Sequence, residues 1–329
     1  MFFKEVKRAK LRIAVALVAL SATSIIYSVA SGVEANSQAG MEPMLSADDN
    51  YMQITPSEVG VRIAPLPKEL DFAGEKVPIE LPYVREAIER EMLTTSCMHT
   101  STTLSLRRTT RYFPIIEPIL KKNNIPEDFK YLCVTESGLN PNAVSPAKAC
   151  GLWQFVASAA KDYGVETGDN VDLRYNIEIA TQAACDYLNE AYKRFGSWTL
   201  AAASYNAGQA GVSRRMKTQG VDDYWDLYLP EETMRYVPRI LSFKLMIPEP
   251  EKYGFLLKKS DYFPTFENYT EVQIAEKNID WCEFATRHNT NYRQLRILNP
   301  WIRSYSYANA TGKSYTVKVP NADFKKLGY

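Results

Sequence analysis

Glu136 is the residue whose type and setting could do acid–base chemistry. Glu136-Ser137 closes an amphipathic stretch and is followed by Gly151-Leu152-Trp153-Gln154-Phe155 and then by Ser204-Tyr205-Asn206-Ala207-Gly208. Read as a helix, Glu127 to Gly138 carries an apolar stripe of Phe129, Leu132 and Cys133. Glu136 falls on that stripe, at i+7, i+4 and i+3 from those three. An ionised carboxylate facing a core is costly, and the helix C-terminus, which Gly138 should mark, disfavours negative charge. Both effects favour the protonated form, the form a general acid requires at neutral pH. A glutamate near a helix end is otherwise a solvated side chain, and Glu127 fits that plainer description. The apolar register sets Glu136 apart.

The surrounding residues resemble the lytic transglycosylase family of the goose-type lysozyme superfamily, most closely its membrane-bound murein transglycosylase D branch. The likeness runs from about Arg111 to Met246, with weaker likeness from Val77 and across the C-terminal part. Four family motifs stand in order: Glu136-Ser137, Gly151-Leu152-Trp153-Gln154, Tyr205-Asn206-Ala207-Gly208, and Tyr236-Val237 within Glu232-Thr233-Met234-Arg235-Tyr236-Val237-Pro238. Three positions depart from the pattern without removing a chemical group. Lys148 stands where glycine or another small residue is usual, Cys150 where alanine is usual, and Ser204 where alanine commonly precedes the tyrosine.

The resemblance implies a mainly α, lysozyme-like catalytic domain (α+β superfamily) acting on peptidoglycan glycan strands. Glu136 would be the catalytic acid, and Ser137, Gly151, Gln154, Tyr205, Asn206 and Tyr236 would bind substrate. Ser137 would bond near Glu136 or the sugar, Gln154 would offer a donor and an acceptor, Asn206 would lie near the acetamido group and Tyr236 near the acid. The backbone around Gly151 would allow close approach. Trp153 and Phe155 read as core, and Ala207-Gly208 as a helix stop.

Ordinary glycosidases use two carboxylates, whereas these motifs hold only Glu136. Asp162, Glu166, Asp169 and Asp172 read as solvated surface groups. One acid suffices if the substrate's own C6 hydroxyl attacks C1, an intramolecular step with a large effective molarity. The product implied by the family is a 1,6-anhydromuramoyl end. Two rivals stand beside this reading: a goose-type muramidase using water, and a non-catalytic peptidoglycan-binding protein.

Composition narrows the field further. The chain has 329 residues and a formal net charge of +1, without the basic bias of a nucleic-acid binder. His99 and His288 are its only histidines and lack partners at metal or triad spacing, so neither a metal nor a cofactor is expected. The five cysteines are odd in number; Cys133, Cys150 and Cys185 read as small buried hydrophobes.

The organisation follows from the ends inward. Residues 1–33 combine a basic start (Lys4, Lys7, Arg8, Lys10, Arg12) with an uncharged run, and read as a signal peptide or an uncleaved membrane anchor. The rest is then exported to the periplasm or cell envelope, tied to the membrane if that segment stays. Residues 34–76 read as a flexible tether and lead-in, 77–247 as the transglycosylase domain, 248–268 as a linker, and 269–329 as a small βααβ, degenerate LysM-like module. Its usual Gly-Asp turn is missing, since Lys277-Asn278-Ile279-Asp280 stands there, and the module either binds glycan or only packs.

Overall fold

The structure, a computed structural model, describes residues 65–326. The segment 1–33 and most of the tether lie outside the described residues. Among the described residues, no helix is long and apolar enough to cross a membrane.

The first strands lie at the end of the stretch read as tether and lead-in. Strands β1 (Asp71–Phe72) and β2 (Glu75–Lys76) pair antiparallel across Ala73-Gly74, both with positive φ (56° and 81°), as a two-residue hairpin turn requires. Three anchors hold the hairpin in place. Phe72 is fully buried against Phe129, the Ala73 amide donates to Asp128 Oδ2 at 2.7 Å, and the Glu75 carboxylate accepts the Trp198 and Thr199 amides at 2.5 and 2.9 Å. A carboxylate on two amides at a helix start is stabilised by the helix dipole as well as by the hydrogen bonds.

Eight α-helices follow before the C-terminal module: α1 (Pro82–Cys97), α2 (His99–Lys122), α3 (Phe129–Ser137), α4 (Ala157–Asp162), α5 (Ile177–Phe195), α6 (Trp198–Ala207), α7 (Gln209–Gln219) and α8 (Glu231–Met246). The mainly α expectation holds. Helix α1 gives way to α2 at Met98. Helix α5 begins after Asn176, whose Oδ1 accepts the Ile179 amide at 3.0 Å. Helix α6 begins at Ser197, whose Oγ accepts the Leu200 amide at 3.2 Å. The alanine-rich faces of α5 and α6 (Ala180, Ala183, Ala184, Ala201, Ala202, Ala203) are buried, so the backbones pack closely. Glu91 of α1 is fully buried and bridges Arg235 Nε (2.5 Å) and Arg239 Nε (2.9 Å) of α8. Two guanidinium partners offset its desolvation, and the bridge fixes α8 against α1.

The stretch read as a linker is a strap laid on α2. The Phe263 amide donates to the Arg107 carbonyl at 2.8 Å, the Arg107 guanidinium stacks on the Phe263 ring at 4.2 Å, and Arg111 Nε donates to the Pro264 carbonyl at 2.8 Å. The C-terminal module then runs β3 (Tyr269–Ile274), β4 (Asn278–Asp280), α9 (Trp281–Arg287), α10 (Tyr292–Leu298), β5 (Ser306–Ala308) and β6 (Tyr315–Pro320). Antiparallel β3 and β6 pair from Tyr269↔Pro320 to Ile274↔Tyr315. Tyr315, Val317 and Val319 alternate inward, the period of two that a one-sided sheet needs. The βααβ order is present, with a second short pair, β4–β5, added to it. Asp280 supplies the turn without a preceding glycine, its Oδ1 accepting the Cys282 and Glu283 amides at 2.9 Å each.

Candidate active site

Helix α3 delivers Glu136 in the last turn before its stop. Gly138 adopts φ 56°, ψ 31°, and its amide donates to the Val134 carbonyl at 2.7 Å, the left-handed C-terminal cap that favours glycine. A side chain there would also meet Ser105 Oγ at 2.9 Å. Phe129, Leu132 and Cys133 are fully buried, so the predicted stripe faces the core and carries Glu136 to its edge.

Across from Glu136 stands α8, and the Tyr236 hydroxyl donates to Glu136 Oε1. Burial pushes the carboxyl up to about 7, against the opposing pull of that hydrogen bond; the charge of Glu232 adds to the rise and Arg239 opposes it. Glu136 itself keeps partial access to solvent, so the group is crowded by protein yet reachable. Its neighbours are neutral. Burial first, and the Glu136 charge second, hold Tyr236, Tyr205 and Cys133 well above their ordinary values. A half-protonated carboxyl near neutrality, aimed from a core edge by one phenol, can both give and take a proton.

The remaining motif residues assemble around this pair. Tyr205 of α6 donates to the Trp153 carbonyl at 2.7 Å and thereby joins α6 to the Gly151–Phe155 turn. Asn206 Oδ1 accepts from Thr233 Oγ1 at 2.8 Å, which ties α6 to α8 three residues before Tyr236. Gly208 (φ 74°) ends α6 and its amide donates to the Ser204 carbonyl, so Ala207-Gly208 is a helix stop, as read. Trp153 and Phe155 are core: Trp153 is fully buried with Nε1 donating to Thr181 Oγ1 at 2.8 Å, and Phe155 packs edge-on against Tyr205.

Three implied roles change in detail. Ser137 Oγ donates to the Cys133 carbonyl at 3.2 Å within its own helix, leaving oxygen lone pairs but no proton for Glu136. Gln154 Nε2 is taken by the carbonyls of Gly151 (2.7 Å) and Ala143 (3.3 Å); only Oε1 is without a partner among the described residues. Gly151 is required for an approach of protein to protein: at φ 76°, a Cβ would lie 2.2 Å from the Arg174 carbonyl oxygen.

Backbone strain gathers at this turn. Leu139, Lys148 and Gln154 hold φ of 54°, 60° and 50°, a region that costs non-glycine residues about 1 kcal/mol or more. The value at Lys148 explains why the family pattern has a small residue or glycine there.

Two of the acids read as solvated are not. Asp172 is buried and pairs with Arg174, whose Nη2 lies 2.6 Å from Oδ2. Glu166 accepts from the hydroxyls of Tyr307 and Tyr315 at 3.2 and 3.0 Å and from Lys313 Nζ at 3.1 Å. Glu166 reaches its partners only through the tertiary fold, whereas Asp172 pairs with a neighbour two residues on and is hidden from local sequence only in its burial. Asp162 and Asp169 are exposed, as read. Glu232 was passed over although it precedes Tyr236 by one helical turn; that i, i+4 spacing was the available signal. The five cysteines are free, with Cys133, Cys150 and Cys185 buried and Cys97 and Cys282 exposed.

Residues 113–228 match the model of the transglycosylase SLT domain, and residues 270–323 that of the soluble lytic transglycosylase C-terminal LysM-like domain. The chain is 29% identical over 276 residues to "Membrane-bound lytic murein transglycosylase D" of Escherichia coli (strain K12). A protein of Alteromonas sp. (strain M-1) named for tributyltin chloride resistance is 32% identical over 195 residues, 58% of this chain and 87% of that one. The chain carries an SLT transglycosylase domain followed by a LysM-like C-terminal domain. All of helix α3, the Gly151–Gln154 turn and α6 fall within the SLT match, whereas Tyr236 lies beyond it. The alignment with the Escherichia coli protein covers 82% of this chain and 59% of that relative's length.

Proposed function

We propose that the protein is a peptidoglycan lytic transglycosylase that cleaves the β-1,4 bond between N-acetylmuramic acid and N-acetylglucosamine without water. The observation that carries this reading is Glu136, held by the Tyr236 hydroxyl with its carboxyl pushed up to about 7. Glu136 gives its proton to the glycosidic oxygen as the C1–O bond breaks, and N-acetylglucosamine leaves as an alcohol. The muramoyl C6 hydroxyl then attacks C1 from within the same ring and surrenders its proton to the Glu136 carboxylate. The 1,6-anhydro bond replaces the glycosidic bond, and Glu136 ends protonated, as it began. Gln154 Oε1 and Asn206 Nδ2, which are without partners among the described residues, face this work as substrate contacts, with Ser137 accepting at the helix end.

Several features support an envelope location. The basic, then apolar, first 33 residues read as an export signal or anchor, and the Escherichia coli relatives carry "membrane-bound" in their names. The muramidase alternative would need a second carboxylate to activate water. Among the described residues, Glu232 is the carboxylate whose charge reaches Glu136, and it lies one turn from Tyr236 on the same helix. Incubation of purified protein with sacculi should release soluble muropeptides, and Glu136→Gln should release none. Release by a folded Glu136→Gln variant would overturn the assignment.

A further inference from the structure

The turn bearing Gln154 is held at both ends by one side chain. Arg174 Nη1 donates to the Lys148 carbonyl at 2.9 Å and to the Phe155 carbonyl at 3.0 Å, while Nε and Nη2 make a two-pronged pair with Asp172 at 2.9 and 2.6 Å. Both residues are more than nine-tenths buried. Between the clamped carbonyls, the Arg174 backbone carbonyl presses on Gly151, where a Cβ would come within 2.2 Å.

The C-terminal module supplies the other half of the arrangement. Residues 170–172 lie as a strand against 301–303: the Asp172 amide donates to the Trp301 carbonyl at 3.0 Å, the Arg303 amide to the Asn170 carbonyl at 2.8 Å, and Val171 bridges Ile302. The Arg303 guanidinium stacks on Tyr175 at 4.1 Å. Cys150, Val171 and Tyr175 bury their side chains in the module's own core, with Trp281, Trp301 and Ile302. Cys150 is therefore in the catalytic turn and in the module core at once. Around this seam Glu166 receives Tyr307, Tyr315 and Lys313, and Glu178 pairs with Lys318.

The geometry points to the LysM-like module as a working part of the catalytic apparatus: its 301–303 edge seats the Asp172–Arg174 pair, and Arg174 is a positioning residue that fixes the Lys148–Phe155 turn and hence Gln154. The energetic logic is plain. The turn carries two strained residues, Lys148 and Gln154, and such backbone persists only where its surroundings over-determine it. A guanidinium can hold two carbonyls and a carboxylate together because its donors form a rigid planar fork. A lysine at the same place keeps the charge and loses the fork.

The inference rests on the reading of this turn as a substrate contact, and its test has one arm that does not. In full-length protein, Arg174→Lys and, on the module side, Arg303→Ala are compared with the wild type by amide hydrogen exchange and by kinetics on soluble glycan strands. Exchange at Cys150 and Gly151, whose amides bond to Phe155 and Ala143 within the turn, should rise about tenfold or more in Arg174→Lys, with α3 and α5 unchanged. Turnover should fall on the order of 10–100-fold, KM changing less, for a turn displaced by a fraction of an ångström. The alkaline limb of the pH profile should stay in place, because Glu136 titrates against Tyr236 and not against this turn. Arg303→Ala should show the same pattern more weakly, and it carries the test if Arg174→Lys does not fold. Wild-type exchange at the turn, or acceleration spread evenly over the domain, would overturn the clamp. Loosened exchange in the variants, beside a wild type that cleaves no glycan, would leave the clamp standing and sink the functional reading instead.

Discussion

Glu136 was legible because its apolar neighbours sit at helical spacing, and that spacing forces the carboxylate to a core edge. Its partner was legible only as a motif, since Tyr236 lies a hundred residues away and meets it through the packing of α3 on α8. The pair makes two signed predictions. A carboxyl raised from 4.5 to about 7 binds its proton more tightly in the folded than in the unfolded chain, so its contribution to stability is full below about 4.5 and is lost as pH rises through 7. Glu136→Gln should therefore gain stability over the wild type as pH rises across that window, by on the order of 1–3 kcal/mol at its upper end. Urea unfolding at pH 5 and pH 8 reads this directly, and an equal difference at both would contradict it. Tyr236→Phe removes the donor that favours the charged carboxylate. Its rate should fall on the order of tenfold or more, while the alkaline limb of the pH–rate profile moves upward from about 7; a downward move would reverse the assigned role of the hydroxyl.

At the level of elements, the helices were the readable part. The stop at Gly138 lies where the sequence places it, and the caps at Asn176 and Ser197 are signals of the same local kind, because each depends on atoms within three or four residues. The hairpin at residues 71–76 and the pair β4–β5 were not readable, since strands of two or three residues carry too little pattern. The hairpin is held by long-range partners instead: Asp128, Trp198 and Thr199. The strained turn offers an element-scale test. Lys148 is exposed and holds φ 60° while its carbonyl serves Arg174. Lys148→Gly keeps that carbonyl and relieves the strain, so it should stabilise the protein by about 0.5–1 kcal/mol after glycine's entropic cost. A loss of stability in denaturant unfolding would show that the strain argument is misplaced. Gly151→Ala is the converse case. Its Cβ would collide with the Arg174 carbonyl, and the variant should lose both stability and cleavage, by several kcal/mol if the backbone cannot shift.

The whole molecule departs furthest from a string of separable parts. Composition shifts suggested a tether, a domain, a linker and an appended module, yet the stretch read as linker straps α2 and the module shares its core with the turn that bears Gln154. Such sharing is invisible in sequence because Cys150, Val171 and Tyr175 look like residues of one domain while packing with another. A chain ending at residue 268 would expose those three and remove the 301–303 edge. It should unfold at lower temperature by circular dichroism and lose cleavage with it; a full-stability truncate would mean that the two cores are independent. The central claim, transfer within the sugar driven by Glu136 alone, is tested most directly by its product. Protein lacking residues 1–33 is incubated with purified sacculi, and the released muropeptides are weighed before and after borohydride reduction. Products lighter by one water than hydrolytic ones, and unchanged by borohydride, are what the single raised carboxyl at Glu136 predicts. Reducible products of the heavier mass would contradict it and identify a hydrolase that brings water to C1.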